Sequence, residues 1–166
     1  MWKLAVRYEV GTSEIITANP QVANPNLIYP GDKLNIPQVE QGVLAYESEV
    51  VRLVNAIRRE NGLGELRINW ELCRVARYKS QDMVDNRYFS HTSPTYGTPF
   101  QMIQAFGLTY RTAGENIAYG YSTPQQVVTG WMNSEGHRKN ILNANFTQIG
   151  VGYVSQGHYW TQMFIG

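Results

Sequence analysis

Cysteine and charge are both scarce in this sequence, and no long apolar run is present. The single cysteine, Cys73, excludes a disulfide framework within one chain and a thiolate metal cluster. Charged residues make up 16% of the chain and the formal net charge is +1, so the composition shows no nucleic-acid footprint. No apolar run approaches the roughly 20 residues that a membrane-spanning helix requires. The composition therefore favours an ordinary folded domain.

The signatures of several large enzyme classes are also missing. No Gly-x-Ser-x-Gly elbow, His-Glu-x-x-His motif or phosphate-binding glycine loop occurs, so serine hydrolases with that elbow, zincins and P-loop enzymes lose support. Cys73 lies in an apolar helical pattern, which favours a small core residue over a nucleophile. Three histidines, His91, His137 and His158, and a few carboxylates are the acid–base groups that remain.

Apolar periodicity and capping residues predict four helices in the central part of the chain. A strong apolar stripe covers 44–61, and Asn69 caps a second periodic segment that runs to about Arg87. Thr98-Pro99 and Thr123-Pro124 carry the same start signal, each with a glutamine three residues after the threonine. They predict helices that end near Phe106 and Asn133.

Strand signals follow in the C-terminal half. Residues 114–118 are predicted to be a short extended segment, and 133–142 to add one or two helical turns after Gly136. The alternating segments 146–154 and 158–165, joined by a turn, predict an antiparallel hairpin. This order of elements predicts an α+β fold in which helices pack on the faces of a mainly antiparallel sheet.

The first 37 residues resemble a LysM module. The resemblance rests on Trp2 to Tyr8, on Ile15-Ile16 with Ala18-Asn19-Pro20, and on Asn26 to Pro37. The LysM family folds as a strand, two helices and a strand, and it binds N-acetylglucosamine glycans such as peptidoglycan and chitin. The opening strand and its Gly-Asp-Thr turn are missing here, so the resemblance implies a partial module of two helices and a strand over 33–37. Residues 38–43 are predicted to be a linker.

Residues 44–166 resemble the CAP superfamily, in its short bacterial type. Four motifs carry the resemblance, in the family's order: Phe89-Ser90-His91, Gly114 to Ala118, Trp131 with Gly136 to Leu142, and Gly157 to Gln162. The resemblance implies an α-β-α sandwich with a central cleft. In many members that cleft is lined by two histidines and two acidic residues that hold a divalent metal ion.

Carried over to this sequence, the cleft consists of His91, Glu115, His158 and Glu135. The Glu135 assignment departs from the family, because its spacing from Trp131 is one residue longer than in animal and plant members. The resemblance implies that His91 and His158 ligate Zn²⁺ or another divalent cation. The same side chains are equally suited to a hydrogen-bonded polar network without catalysis. From spacing alone, His158 is equally well a polar residue at a turn.

Two functions are compatible with this sequence. The first is a secreted bacterial protein of the cell wall or spore surface that binds or scaffolds peptidoglycan. The second is a metal-dependent hydrolase of peptide or wall substrates that uses His91, Glu115 and His158. No export signal is expected in this sequence, since the N-terminus has no basic region followed by an apolar stretch. His137 is predicted to be a helix-end contact, and the aromatic side chains of Trp131, Tyr159 and Trp160 to be core residues more often than sugar platforms.

Overall fold

The computed structural model describes residues 1–166, which form two compact units, Met1–Glu40 and Gln41–Gly166. The first unit contains two short helices, α1 (Trp2–Tyr8) and α2 (Thr12–Thr17). These are the two helices that the LysM resemblance implies. The remainder of this unit is irregular.

The predicted strand over 33–37 is not formed. Its backbone is held instead by Asn19, whose side chain is 1% exposed. The Asn19 amide group donates to the Asn35 carbonyl and accepts from the Asn35 backbone N–H, both at 2.7 Å. A strand needs a neighbouring strand to satisfy its backbone groups, and no such strand lies in this unit. The Asn19 side chain therefore satisfies both backbone hydrogen-bonding groups of Asn35 in the middle of this segment.

The second unit contains five helices and four strands. Its first helix, α3 (Gln41–Glu60), begins inside the segment that the sequence predicts to be a linker. The other elements follow in the predicted order, with one addition, the two-residue strand β1. They are β1 (Arg67–Ile68), α4 (Trp70–Asp85), α5 (Pro99–Ala105), β2 (Ala113–Ala118), α6 (Pro124–Met132), α7 (Glu135–Ile141), β3 (Gln148–Val154) and β4 (Tyr159–Ile165).

The four strands form one sheet in the order β1-β3-β4-β2. The β3–β4 hairpin and the β2–β4 pair are antiparallel, whereas β1 pairs with β3 in parallel. The prediction of a mainly antiparallel sheet is confirmed. Since β2 is the last strand in this order, it forms an edge of the sheet, where side chains from both faces can meet.

Helices cover both faces of the sheet, which confirms the predicted sandwich. One core contains Val54, Trp131 and Trp160 and lies between the sheet and helices α3, α6 and α7. The other contains Val75 and Met163 and lies between the sheet and helices α4 and α5. The predicted core positions of Trp131 and Trp160 are confirmed, because they are 1% and 0% exposed, whereas Tyr159 is only half-buried. None of the helices combines the length and the apolar character needed to cross a lipid bilayer.

Candidate functional site

A histidine–glutamate pair lies at the edge strand of the sheet. Glu115 belongs to β2, and its carboxylate oxygen Oε1 is 2.7 Å from Nδ1 of His91. The Glu115 side chain is 2% exposed, whereas the His91 side chain is 55% exposed. The buried carboxylate therefore orients an imidazole whose other nitrogen, Nε2, is available to the solvent.

A buried lysine fixes the backbone that carries His91. Lys79 on α4 is 1% exposed, and its ammonium group donates to the carbonyls of Ser90 and His91 at 2.7 and 2.9 Å. Burial lowers the pKa of Lys79, and the nearby charges of Glu115 and Asp82 oppose that shift. The ammonium group thus serves as a hydrogen-bond donor between helix and loop, close to the Glu115 carboxylate.

Asp82, one helical turn after Lys79, organises the loop that carries His91. Its two carboxylate oxygens accept hydrogen bonds from four neighbouring side chains. Burial acts to raise the pKa of Asp82, but these hydrogen bonds outweigh it and leave the pKa below the ordinary value of 3.8. The donors are Asn86, Tyr88, Ser93 and Thr95. The carboxylate therefore connects the end of α4 with both arms of the loop.

Substituting Asp82 by asparagine is expected to destabilise the second unit at neutral pH by about 1–3 kcal/mol, because an amide cannot accept all four hydrogen bonds. The pKa of Asp82 is lowered in the folded protein. Its contribution to stability is therefore fully present above pH 3.8, and it is lost as the pH falls through the pKa of the folded state. The free energy of unfolding, measured with urea from about pH 7 to about pH 2, should differ less between wild type and Asp82→Asn below pH 3.8. A constant difference would contradict this explanation.

The control for Asp82→Asn is Asp85→Asn on the same helix. Asp85 is exposed and accepts one hydrogen bond, from Gln81. An exposed polar contact of this kind is worth little, so Asp85→Asn should change stability by less than about 0.5 kcal/mol at every pH. An equal loss in the two variants would show that Asp82 has no special role.

His137 lies beside the same strand. The Asn116 side-chain amide donates to the His137 carbonyl at 3.1 Å, and Asn140 donates to the Glu115 carbonyl at 3.1 Å. Burial lowers the pKa of His137, and the nearby positive charge of His91 lowers it further. The prediction that His137 is a helix-end contact is incomplete, since its carbonyl also attaches α7 to β2 next to Glu115. The signal in the sequence was Asn140 three residues later, which attaches α7 to β2.

His158 has different surroundings from the His91–Glu115 pair. Its Nδ1 lies 2.7 Å from the hydroxyl of Tyr153, and its ring stacks on the Tyr153 ring. Glu115 is opposite Met163 on β4, and the five residue steps from His158 to Met163 correspond to about 16 Å of extended backbone. The structure therefore does not place His158 in the groove that the sequence analysis predicts for it.

Glu135 does not reach the pair either. Its carboxylate contacts Lys139 at 2.8 Å one turn along α7, and both side chains are 73% exposed. Of the four predicted cleft residues, the structure thus brings together only His91 and Glu115. Glu135 forms a surface ion pair of the i,i+4 kind, which contributes little to stability.

The side chains near His91 do not supply the donor set of a zinc site. No group of three or more histidine, cysteine, aspartate or glutamate side chains is placed to hold a metal ion. Catalytic zinc sites use three protein ligands, whereas His91 with Glu115 behind it supplies one imidazole ligand and its supporting carboxylate. Glu115 Oε2 is buried without a hydrogen-bond partner. Metal binding by His91 and His158 stays a prediction, and their separate surroundings argue against one shared ion.

Comparisons with known proteins match both parts of the chain. Residues 51–164 match the model of the cysteine-rich secretory protein family, CAP, and residues 1–37 match the LysM domain model. The chain is 63% identical over 124 residues to the uncharacterized protein YkwD of Bacillus subtilis (strain 168), a match that covers 75% of this chain and 48% of YkwD.

Two solved structures share the fold. An extracellular protein containing a SCP domain from Bacillus anthracis str. Ames has a TM-score of 0.72 and 38% identity, over 80% of this chain and 45% of that protein. An outer surface protein from Borrelia burgdorferi has a TM-score of 0.66 and 23% identity, over 71% of this chain and 90% of that protein. The chain spans about half the length or less of YkwD and of the Bacillus anthracis protein.

Proposed function

This chain belongs to the cysteine-rich secretory protein (CAP) family, and we propose that it acts outside the cell as a peptidoglycan-binding protein of the bacterial cell wall or spore surface. The observation that carries this proposal is the LysM match over residues 1–37, next to a CAP domain. The Bacillus anthracis relative is described as an extracellular protein, which supports the location. In this proposal the LysM segment binds glycan, and the CAP domain presents the His91–Glu115 pair.

Two exposed side chains of the LysM segment are suited to pack against a sugar ring. Leu27 and Tyr29 are 54% and 61% exposed, and they lie two residues apart in the irregular part of the first unit. The Tyr29 backbone N–H donates to the Asp32 carboxylate at 2.8 Å, which holds the turn at Pro30-Gly31. An aromatic ring on a turn that is fixed by a hydrogen bond offers a flat apolar surface to the face of a sugar ring.

The test is co-sedimentation of the full chain with insoluble peptidoglycan. We expect Leu27→Ala/Tyr29→Ala to weaken binding by about tenfold, because it removes the exposed apolar contacts of the LysM segment. Phe100→Ala in α5 is the matched control, since Phe100 is an exposed aromatic residue, 46% exposed, outside the LysM segment. Equal binding by wild type and the double variant would contradict the role of the LysM segment.

A second candidate function, hydrolysis of peptide or wall substrates, is favoured by the His91–Glu115 pair. If Nδ1–H of His91 donates to Glu115, the exposed Nε2 carries a lone pair and can take a proton from water as a general base. Glu115 would then hold the ring orientation and stabilise the imidazolium that forms, as the carboxylate does in other carboxylate–histidine pairs.

Turnover of peptidoglycan and of a peptide library distinguishes the two candidates. If the chain is a hydrolase, His91→Ala should abolish turnover, and Glu115→Gln should reduce it by roughly 100-fold or more through loss of imidazole orientation. His158→Ala should leave turnover unchanged, because His158 contacts Tyr153 instead. Metal analysis of the purified chain, and turnover after chelation, test the metal-dependent form. No turnover on either substrate would contradict the hydrolase and leave the binding proposal standing.

A further inference from the structure

Two neighbouring cavities of the CAP domain share a wall of exposed aromatic side chains. One has a volume of about 460 Å³ and the other about 300 Å³, and Phe89 and Tyr119 line both. Tyr159 lines the larger cavity and Tyr121 the smaller one. We call these four residues, Phe89, Tyr119, Tyr121 and Tyr159, the aromatic groove. Each cavity is of a size that accommodates small ligands.

Three rings of the aromatic groove, those of Phe89, Tyr119 and Tyr159, pack against one another but are not fully covered. Phe89 packs edge-on against Tyr119 with ring centroids 4.7 Å apart, and Tyr119 stacks on Tyr159 at 5.6 Å. Phe89 and Tyr119 nevertheless remain 45% and 56% exposed. Because Phe89, Tyr119 and Tyr159 support one another, this packing fixes the orientation of their exposed faces. Contiguous exposed apolar surface of this kind marks an interaction site.

The charge of the groove indicates what binds to it. Arg87 lines the larger cavity and His137 the smaller one, and no aspartate or glutamate lines either cavity. Arg87 has a φ angle of 54°, in the left-handed region that a bulky side chain rarely occupies. Flat aromatic faces suit the apolar faces of sugar rings, and a guanidinium without a carboxylate beside it suits an anionic group. The matching ligand is a glycan that carries carboxylates.

We propose that the aromatic groove is a second glycan site, which binds a strand of N-acetylated sugars bearing carboxylates, with Arg87 as the anion contact. The proposal rests on the proposed envelope function, and it adds a binding site in the CAP domain to the one in the LysM segment. Since Phe89 is two residues before His91 and His137 lines the smaller cavity, a bound strand would pass beside the His91–Glu115 pair.

The test uses calorimetry on the full chain with two probes of equal length. The acidic probe is a tetrasaccharide of alternating N-acetylglucosamine and N-acetylmuramic acid without peptide, and the neutral probe is N-acetylglucosamine tetrasaccharide. Phe89→Ala/Tyr119→Ala is expected to raise the dissociation constant of the groove for the acidic probe by at least about tenfold. Arg87→Gln should remove the preference of this site for the acidic probe over the neutral one. Phe100→Ala, an exposed aromatic outside the groove, should bind as wild type.

The LysM variant Leu27→Ala/Tyr29→Ala separates this inference from the proposed function. If this variant still binds the acidic probe and loses that binding when the groove substitutions are added, the groove site is supported. If the groove substitutions change nothing in either background, the inference is overturned while the LysM site remains intact. Groove-dependent binding of a free stem peptide without sugar binding would also overturn it, because the occupant would then be a peptide.

Discussion

Replacing Arg58 by alanine is expected to destabilise the CAP domain by roughly 3–5 kcal/mol. Arg58 lies in α3 and is 2% exposed, so its guanidinium is almost fully removed from water. It donates to the carbonyls of Gly64, Ile141 and Asn143 at 2.8, 2.8 and 3.0 Å. A fourth hydrogen bond joins it to Phe146 at 3.4 Å. Alanine leaves these carbonyls without their donor and leaves a cavity.

Arg59→Ala is the matched control for Arg58→Ala, at the next position of the same helix. The Arg59 side chain is 59% exposed, and it forms an ion pair with Glu65. Surface ion pairs contribute roughly 0–1 kcal/mol, so the control should unfold close to wild type in guanidinium chloride. Losses of similar size in the two variants would contradict the structural role of Arg58. The measurement is the free energy of unfolding, followed by fluorescence of the buried tryptophans.

Gly152→Ala is expected to lower the free energy of unfolding of the domain by more than about 3 kcal/mol. Gly152 belongs to β3, and a Cβ there would overlap the α4 backbone at Ala76 and Arg77. Gly150 stands in the same relation to Leu72 and Cys73. Because the obstacle is helix backbone, no side-chain rotation can relieve the overlap. The helix and the sheet must separate, and the packing between them is weakened.

Gly42→Ala tests whether that loss comes from close packing alone. Gly42 lies in the first turn of α3, and a Cβ there meets nothing within 4 Å. Alanine is the better helix former by roughly 1 kcal/mol, so this control should be neutral or slightly stabilising. Thermal unfolding of both variants measures the difference. A folded Gly152→Ala protein with wild-type stability would show that α4 does not approach β3 as closely as described.

The sequence predicted the elements whose signals are local. The helix after Asn69 shows this, since its cap and its apolar face both lie within a few turns of the same segment, and Asn69 does accept from the Leu72 N–H. The capping box at Thr98 with Gln101 is formed as expected. The β3–β4 hairpin was also predictable, because its alternation and its turn lie in one continuous stretch. The two-residue β1 was not, since its pairing with β3 involves residues about 80 positions apart.

The candidate site was only half predictable. Glu115 and His91 were identified by motif, and the structure joins them at 2.7 Å. His158 was assigned from the Gly157 to Gln162 motif, but its hydrogen bond to Tyr153 lies within the β3–β4 hairpin, and its separation from Glu115 is set by the β2–β4 register. A slip of one residue in that register reverses which face each side chain occupies, and no local pattern encodes it. His137 was undervalued because α7 meets β2 only in the folded domain.

Local sequence by itself determined the helices and the hairpin, because caps, turns and periodicity act over a few residues. The family, and His91 and Glu115 as site residues, came from motifs that resemble those of the CAP superfamily. Only the tertiary structure decided that α7 attaches to β2 beside Glu115, that Glu135 and His158 lie away from the pair, and that Phe89 and Tyr119 line two cavities. These contacts bring together residues from separate elements, so they exist only after the sheet has selected its strand order and register.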